Sequence, residues 1–255
     1  MIKIENYEVV GWEHAIRGMR NPKNSWDRSD SKILNSVLKE EEVCPGVTAM
    51  VSVPCGPYCS VGPNDHELMM KLAKGGPVHA KYRRMITVYV DITAPLYWWK
   101  EFDTYKVGTV ANSCSTMHKI HAKEFTLDDF SHEQLLDDIV VAKNPKGIDE
   151  HSKVACRPLF VLQGVVDALN TCRLAYLEAK DGITSIDAVR AKDLWYQMIQ
   201  LLPSSYNQKR TIMMNYEVLH NIYISRKNHK LDEWIDLCMW IEGLPYSEII
   251  TREET

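Results

Sequence analysis

Alternating apolar and polar residues predict the strands of this chain. The segment "IKIENYEVVG" alternates and is rich in β-branched residues, which indicates a strand near the start. "VTAMVSVPC" and "MITVYVDI" have the same character, and the second has strong β propensity over residues 85–92. These segments predict a small sheet built mainly from the first half of the chain.

Helical periodicity dominates the other segments. "WEHAIRGM" predicts a short helix ended by the "NPKNS" turn, and "SKILNSVLKE" predicts a second one. "NDHELMMKLAKGG" predicts a helix that Asn64 or Asp65 caps and a glycine pair closes. Pro95 predicts the start of a helix that reaches about residue 106. Beyond residue 120 the helical segments are "TLDDFSHEQLLDDIVVAKN", "PLFVLQGVVDALNTCRLAYLEAK", "SIDAVRAKDLWYQMIQLLP", "TIMMNYEVLHNIYISRK" and "KLDEWIDLCMWIEGLP".

This order of elements predicts one α+β domain over residues 1–255, with a loop at residues 144–152 and no internal repeat. In the helix after Pro95, Leu96, Trp99 and Phe102 follow a three-to-four-residue spacing. Trp98 and Trp99 are therefore predicted to pack in the core, and chemistry is expected in the polar residues that follow.

Composition excludes several classes of function. The chain has 255 residues, of which 45% are hydrophobic and 25% are charged, and its net charge is −4, so no general basic field for nucleic acid is expected. No apolar run approaches the ~18 residues of a transmembrane helix, and the first residues do not resemble a signal peptide. Seven irregularly spaced cysteines favour free thiols in the cytoplasm.

Cys44, Cys55 and Cys59 are the only clustered cysteines in the sequence. "CGPYC" is one residue too long for a C-x-x-C redox motif. A metal site would need a fourth ligand such as His66, and the alternative is a Pro/Gly-rich surface loop with partly buried cysteines. No metal is predicted. The sequence also has no GxGxxG, GxxxxGK[ST], HExxH or GxSxG motif.

Residues 5–240 resemble the flavin-dependent thymidylate synthases. "VHAK" carries His79, which matches the family's G-H-x-S turn, and "LYWWKEFDTYKVGT" matches the helix that ends in R-H-R-x-x-S. "NSCS" matches N-x-x-S, and "QMIQLLP" matches a helix that ends in L-P. "NYEVLHNIYISR" carries Asn215, Asn221 and Arg226, which match the two asparagines and the final arginine of the family's N-A-R-x-x-x-N-F helix. The spacings from His79 to Lys106 and from Asn215 to Arg226 fit without a gap, and one residue is inserted after Thr109.

The resemblance implies a small, mainly antiparallel sheet flanked by many helices, in an enzyme that methylates C5 of deoxyuridine monophosphate (dUMP). It implies FAD as cofactor, methylene-tetrahydrofolate and NADPH as co-substrates, and a cytoplasmic homotetramer to which Trp98, Trp99 and the apolar helices would offer surface. It implies a catalytic Arg226 that polarises the pyrimidine toward attack at C6, with no enzymatic nucleophile. It also implies cofactor-binding His79, Lys106, Asn215 and Asn221, and substrate-binding Glu101, Ser113, Ser115, Lys119 and Arg226.

Several arginines of the family pattern are absent. Thr104, Met117, Ile199 and Glu217 stand at those positions, and the third residue of R-H-R is Lys106. Arginine forks bind phosphate in two-pronged fashion, whereas lysine is a point charge. We expect a weaker, more salt-sensitive nucleotide site in which Lys119, His118 or Arg210 supplies the positive charge.

Simpler interpretations stand beside these roles. Arg226 would complement a helix dipole or pair with Asp232, His79 would be a turn residue, and Ser115 would belong to a helix N-cap. Asn215 is expected in mid-helix, where asparagine is unfavourable. Two hypotheses remain: a divergent FAD-dependent enzyme, or a non-catalytic or repurposed relative that binds another nucleotide-like ligand in the same cleft.

Overall fold

A computed structural model describes the backbone of residues 2–44, 47–142, 153–182 and 185–252. The strands are β1 (Lys3–Val10), β2 (Lys32–Cys44), β3 (Val47–Ser60), β4 (Thr87–Pro95), β5 (Thr109–Ser113), β6 (Ile139–Ala142), β7 (Lys153–Cys156) and β8 (Asn207–Asn215). The α-helices are α1 (Trp12–Arg20), α2 (Pro63–Lys74), α3 (Leu96–Phe102), α4 (Pro158–Asp181), α5 (Ser185–Leu201), α6 (Tyr216–Arg226), α7 (Asp232–Glu242) and α8 (Glu248–Thr251). Short 3₁₀ helices cover Asn21–Lys23, Trp26–Arg28, Ala80–Met85 and Leu127–Asp129.

The fold is α+β, as the sequence predicts, with a four-stranded antiparallel sheet in the order β1-β4-β8-β5. β2 and β3 form a separate antiparallel pair, and so do β6 and β7. Among the described residues no helix is long and apolar enough to cross a lipid bilayer.

The chain forms two compact units. The first unit comprises Met1–Lys3, Ile92–Thr104 and Asn112–Arg210, and the second comprises Ile4–Asp91, Tyr105–Ala111 and Thr211–Thr255. The organisation of residues 1–255 as one domain stays a prediction.

The first unit has an aromatic core, and the predicted burial of the tryptophan pair is confirmed. Trp98 and Trp99 are fully buried, with ring centroids 4.8 Å apart, and Phe102 stacks on Trp98 at 5.1 Å. Trp99 donates its indole N–H to the carbonyl of Gln208 at 2.9 Å. The two tryptophans therefore offer no surface for subunit contacts.

A second cluster fills the space beside α4 and α5: Ile120, Phe125, Phe130, Leu162, Val166, Leu169 and Met198.

In the second unit the core is formed around Trp12, Tyr216 and Trp234, all buried. The Trp12 ring meets the Tyr216 ring edge-on at 5.4 Å, and Tyr216 donates its hydroxyl to the carbonyl of Pro245 at 2.7 Å. Burial raises the pKa of the Tyr216 hydroxyl well above its ordinary value, so this hydroxyl stays protonated and keeps its bond.

The helix predicted at "SKILNSVLKE" is wrong, because these residues belong to β2. Their backbone pairs with β3 in antiparallel register, from Lys32 opposite Ser60 to Cys44 opposite Val47. Pairing with a partner strand gives hydrogen-bond partners to the backbone N–H and C=O groups, which a helix would pair within itself. The same pair contradicts the surface loop predicted around Cys59, which is buried in β3. The side chains of Cys44 and Cys55 lie outside the described residues.

The helix predicted at "TLDDFSHEQLLDDIVVAKN" is also wrong. Thr126 and Asp129 form a capping box, but the helix has one 3₁₀ turn and ends at Asp129. Phe130 then takes an extended conformation and is buried in the first unit, where it bridges to Tyr206. Burying this ring inside the unit stabilises the extended path more than a surface helix would. The loop predicted at residues 144–152 lies outside the described residues.

Two helix boundaries and one helix cap differ from the prediction. The helix after Pro95 ends at Phe102 rather than near residue 106. The helix predicted from Thr211 begins only at Tyr216, because the preceding residues form β8. At α2 the capping group is neither Asn64 nor Asp65: the carboxylate of Asp30 accepts the backbone N–H of both, at 2.9 and 3.2 Å.

The helices predicted within residues 158–180, 185–203 and 230–245 are confirmed as α4, α5 and α7. β1, β3, β4 and α1 also lie where the pattern predicts them.

Candidate functional site

A fixed cation lies at the end of α6 in the second unit. The Nε atom of Arg226 donates to the hydroxyl of Tyr105 at 3.1 Å, and its guanidinium lies 4.7 Å from the ring centroid of Trp234. Trp234 is fully buried on α7, and its ring meets the Tyr105 ring at 6.0 Å. A hydrogen bond and a cation–π contact together restrict a side chain that is otherwise among the most flexible. We call Arg226, Tyr105 and Trp234 the arginine clamp.

The start of α6 is fixed by Asn215. Its side-chain oxygen accepts the backbone N–H of Val218 at 3.0 Å, so this residue is the helix N-cap and not a mid-helix residue as the sequence suggested. The amide nitrogen of Asn215 donates no hydrogen bond within the part of the chain that the structure describes. That nitrogen remains available to a ligand acceptor.

Gly108 packs directly against this amide. Gly108 has a φ of +82°, and a Cβ placed on it would lie 2.9 Å from the side-chain nitrogen of Asn215. A side chain at position 108 would therefore be strained and would push Asn215 away. Lys106, two residues earlier in the same turn, is exposed. The turn therefore packs through Gly108 against the Asn215 amide at the beginning of α6, and Lys106 is exposed two residues away along the chain.

Glu217 occupies a family arginine position and is balanced by two arginines from the segment before β4. Its buried carboxylate lies 3.8 Å from the guanidinium of Arg83 and 3.8 Å from that of Arg84. Arg83 is fully buried, whereas the Arg84 side chain is 56% exposed. The sequence pattern gave no signal for this pairing, which provides an exposed arginine beside the start of α6.

Two other predicted cofactor residues of the second unit are on the surface. His79 is exposed and begins the 3₁₀ helix Ala80–Met85, with its backbone N–H donated to the carbonyl of Gly76 at 3.0 Å. This is the turn position that the simpler interpretation predicts, and it leaves the imidazole accessible. Asn221 lies on the exposed face of α6. Neither side chain is buried by internal packing.

The first unit contains the other predicted residues. Ser113 and Lys119 are exposed, and Glu101 is half-buried near the end of α3. The hydroxyl oxygen of Ser115 accepts the backbone N–H of Met117 at 3.3 Å and of His118 at 2.9 Å. This turn fixes Ser115 while leaving its hydroxyl hydrogen free to donate.

Three of the altered arginine positions have ordinary roles in this unit. Ile199 is partly buried and packs against the core cluster beside α4. Met117 is half-exposed and accepts the indole N–H of Trp195 through its carbonyl at 2.8 Å. Thr104 is exposed and donates to the carbonyl of Glu101 at 2.8 Å. No cation can come from these three side chains.

The Arg210 side chain contacts other residues of the first unit. It donates to Asp103 at 2.6 Å and to the side chain of Gln208 at 2.9 Å, and it lies 4.2 Å over the Trp99 ring. Since its charge is already paired and largely buried, Arg210 is a poor candidate for binding phosphate.

The described residues contain no group of three or more His, Cys, Asp and Glu side chains that could hold a metal ion. His66, the fourth ligand considered for a cysteine site, lies 2.6 Å from the carboxylate of Glu248.

In the second unit, cavities of about 840 and 350 Å³ border α1, and both are lined by Arg20. The predicted site residues do not line either cavity.

Comparison with solved structures identifies the fold. Two crystal structures of the flavin-dependent thymidylate synthase ThyX from Helicobacter pylori, both with FAD and dUMP, match 98% and 99% of this chain and 97% of theirs. Their TM-scores are 0.53 and 0.55, at 15% and 16% sequence identity. The UMP/dUMP methylase PolB from Streptomyces cacaoi, bound with 5-Br dUMP, matches 98% of this chain and 95% of its own, with a TM-score of 0.55 and 14% identity.

No protein-family model and no curated protein sequence matches the chain. At these identities the structural matches establish the fold, which is the fold that the sequence resemblance implies.

Proposed function

We propose that this chain, which has the fold of the flavin-dependent thymidylate synthases, is a divergent FAD-dependent enzyme that methylates C5 of a pyrimidine deoxynucleoside monophosphate. Methylene-tetrahydrofolate would be its carbon donor and NADPH its reductant. The observation that carries the proposal is the arginine clamp. Arg226 ends one of the two ungapped motif matches, and the clamp holds its guanidinium in one orientation.

Arg226 would act on the pyrimidine. A uracil ring has two carbonyl oxygens. A fixed guanidinium beside them would stabilise the negative charge that develops on oxygen when a nucleophile adds to C6 and C5 becomes nucleophilic. The Trp234 ring and the Tyr105 hydroxyl hold the Arg226 guanidinium in place before the substrate arrives. The guanidinium therefore does not need to reorganise during the reaction. Arg226 is therefore the proposed catalytic residue.

The donors around the start of α6 fit FAD, which is rich in hydrogen-bond acceptors and carries a pyrophosphate. The free amide nitrogen of Asn215, close against Gly108, is the most constrained of them. Lys106, His79 and Asn221 are exposed and would add donors and positive charge. Bound FAD would supply the hydride that the reductive methylation requires. Arg84 would supply a cation in place of the arginine that Glu217 replaces.

Ser113, Ser115, Lys119 and Glu101 would bind the nucleotide substrate. The Ser115 hydroxyl can donate to a phosphate oxygen, and Lys119 can approach as a point charge. With Met117 and Ile199 in place of arginines, we expect weaker and more salt-sensitive nucleotide binding than a pair of arginine forks would give.

A homotetramer is part of the proposal. Large apolar side chains on α4 and α5 are exposed, among them Phe160 (66%), Val161 (56%), Leu174 (57%) and Val189 (64%). In the proposed tetramer these side chains would be covered by a neighbouring subunit. The net charge of −4 argues against nucleic acid as a partner. The described cysteines are free thiols, which supports the cytoplasm as the compartment.

The second candidate function is a non-catalytic or repurposed member that binds another nucleotide-like ligand. The observation that favours it is Ile199, since an apolar side chain packed into a core cannot be exchanged for a phosphate ligand without rebuilding that core. The two candidates differ in what they predict for the flavin.

Absorbance spectroscopy of the purified protein separates them. We expect a yellow protein with one FAD per chain and a flavin spectrum that changes when dUMP is added at low salt. A flavin spectrum that no pyrimidine nucleotide alters would support the repurposed member. A protein that binds no FAD would overturn the proposed enzyme.

A further inference from the structure

Three basic residues lie near His121 in the first unit. The backbone N–H of Ala122 donates to the carbonyl of Lys119 at 3.0 Å, which folds residues 119–122 into a turn. Arg173 on α4 donates its Nε to the carbonyl of His121 at 3.0 Å. The His121 ring lies 4.7 Å from the ring of Tyr176, and the Lys180 ammonium lies 6.0 Å from that same ring. The turn and α4 thus place Lys119, Arg173 and Lys180 in the neighbourhood of His121, near enough for their positive charges to act on its ring.

The imidazole itself has an unused polar atom. Nδ1 of His121 is shielded from solvent and has no hydrogen-bond partner among the described residues. Buried polar atoms are nearly always paired, so an orphan of this kind marks a place where a partner is missing. The pKa of His121 is lowered, first by burial and then by the positive charges of Lys180, Lys119 and Arg173.

The charge balance indicates what kind of partner is missing. No acidic side chain forms an ion pair with Lys119, Arg173 or Lys180 in the described ranges. Like charges brought together without an acid repel each other, which destabilises the protein unless an anion binds. Lys180 lies in the last turn of α4, where the helix dipole favours it, but the dipole does not account for Lys119 or Arg173.

We propose that Lys119, Arg173 and Lys180 form a phosphate site around His121, and that it takes the phosphate monoester of the nucleotide substrate. The proposal rests on the proposed function for the identity of the nucleotide, and on the basic group alone for the phosphate. Arg173 has its Nε on the His121 carbonyl, so its two terminal nitrogens can form a two-pronged contact, while the lysines add point charges. The three cations would balance the negative charge of the phosphate, which the uncharged side chains of Met117 and Ile199 cannot do.

The test compares three probes on the flavin-loaded protein at low salt: inorganic phosphate, dUMP and deoxyuridine. Binding is followed by calorimetry and by the ring-proton NMR signals of His121. We expect phosphate and dUMP to shift these signals and deoxyuridine to leave them in place. The double variant Lys119→Ala/Lys180→Ala should bind phosphate and dUMP about tenfold more weakly or worse, with FAD content unchanged.

A matched control is Lys74→Ala, because Lys74 is exposed at the end of α2 in the second unit. This variant should bind all three probes as the parent does. Arg173→Lys keeps the positive charge but removes the guanidinium group that makes two-pronged contacts. It should weaken dUMP binding while deoxyuridine binding stays the same.

The outcomes separate this inference from the proposed function. If dUMP binds the double variant as tightly as the parent, the phosphate lies elsewhere and the inference fails, although the enzyme proposal stands. If phosphate shifts the His121 signals but no pyrimidine nucleotide binds, the anion site stands and the enzyme proposal fails. Phosphate that leaves the His121 signals unchanged at low salt would overturn the anion site itself.

Discussion

The Nε atom of Arg226 donates a hydrogen bond of 3.1 Å to the hydroxyl of Tyr105. These two residues come from separate sequence blocks, since Tyr105 follows α3 and Arg226 ends α6. Tyr105 stands at the position of the histidine in the family pattern R-H-R. The contact therefore links the two matched motifs within one unit and orients the residue on which the proposed chemistry depends.

Removing the Tyr105 hydroxyl should loosen that orientation. Tyr105→Phe keeps the ring against Trp234 but deletes the acceptor for Arg226. We expect kcat/KM for dUMP to fall about tenfold, with most of the loss in kcat, because a misoriented cation stabilises the transition state less well. The free energy of unfolding should change by about 1 kcal/mol at most. Tyr89→Phe, at an exposed position of β4, should leave kcat unchanged.

Gly108→Ala should weaken flavin binding. The alanine would need a φ of +82° and would place its Cβ 2.9 Å from the Asn215 amide nitrogen. We expect a loss of about 1–2 kcal/mol in stability and a larger fraction of flavin-free protein, measured from the ratio of flavin to protein absorbance. Gly164→Ala is the control, since nothing lies within 4 Å of its Cβ in α4. Equal flavin content in both variants would mean that Asn215 is not a cofactor residue.

Arg210→Ala should affect stability and not nucleotide binding. The Arg210 side chain is only 14% exposed and is held by Asp103 and the Trp99 ring. Its removal should lower the free energy of unfolding by about 1–3 kcal/mol in urea titrations. The affinity for dUMP should match that of the parent and of Lys100→Ala, a variant at an exposed position of α3. A selective loss of dUMP affinity would reinstate Arg210 as a phosphate ligand.

Asp65 should make stability depend on acid pH. Its buried carboxylate accepts bonds from Arg20 at 2.5 Å, Ser29 at 2.7 Å and Ser31 at 2.6 Å. Burial alone would raise the pKa of Asp65, but the hydrogen bonds from Ser31, Ser29 and Arg20 outweigh it and lower the pKa below its ordinary value of 3.8. A lowered folded-state pKa stabilises the fold fully above pH 3.8, and the effect disappears as the pH falls further.

The variant Asp65→Asn should therefore be less stable than the parent by about 3 kcal/mol at pH 7, because it leaves the buried Arg20 charge without its acid. The difference should shrink in urea titrations below pH 3.8. A difference that is the same at pH 7 and at pH 3 would show that the charge of Asp65 is not what stabilises this network.

The elements that the sequence predicts well are those whose periodicity and end signals agree. α4 begins with Pro158 and buries one row of apolar residues, and α2 closes at a glycine. The strand β8 was missed although its burial alternates: Ile212 and Met214 are fully buried, while Thr211 is exposed. The apolar run "IMM" hides this period of two in the sequence.

The site was predictable only in part, for a related reason. The family resemblance proposes Arg226 and Asn215 as site residues, because its motif match depends on position along one short segment that includes α6. It does not identify Trp234 beneath Arg226, Arg84 beside Glu217 or Arg173 beside His121, because these contacts join distant segments. Such pairings are decided by packing, and an arginine that packs inward resembles an exposed one in a sequence.

The central claim is tested most directly by mass spectrometry of the nucleotide after turnover. The purified protein is incubated with FAD, NADPH, methylene-tetrahydrofolate and dUMP, beside the variant Arg226→Ala. We expect a product heavier than dUMP by one CH2, because a methyl group replaces the C5 hydrogen, from the parent, and none from the variant, which should retain its flavin. A flavin-loaded parent that gives no heavier product from dUMP, or a variant that gives as much product as the parent, would contradict the account.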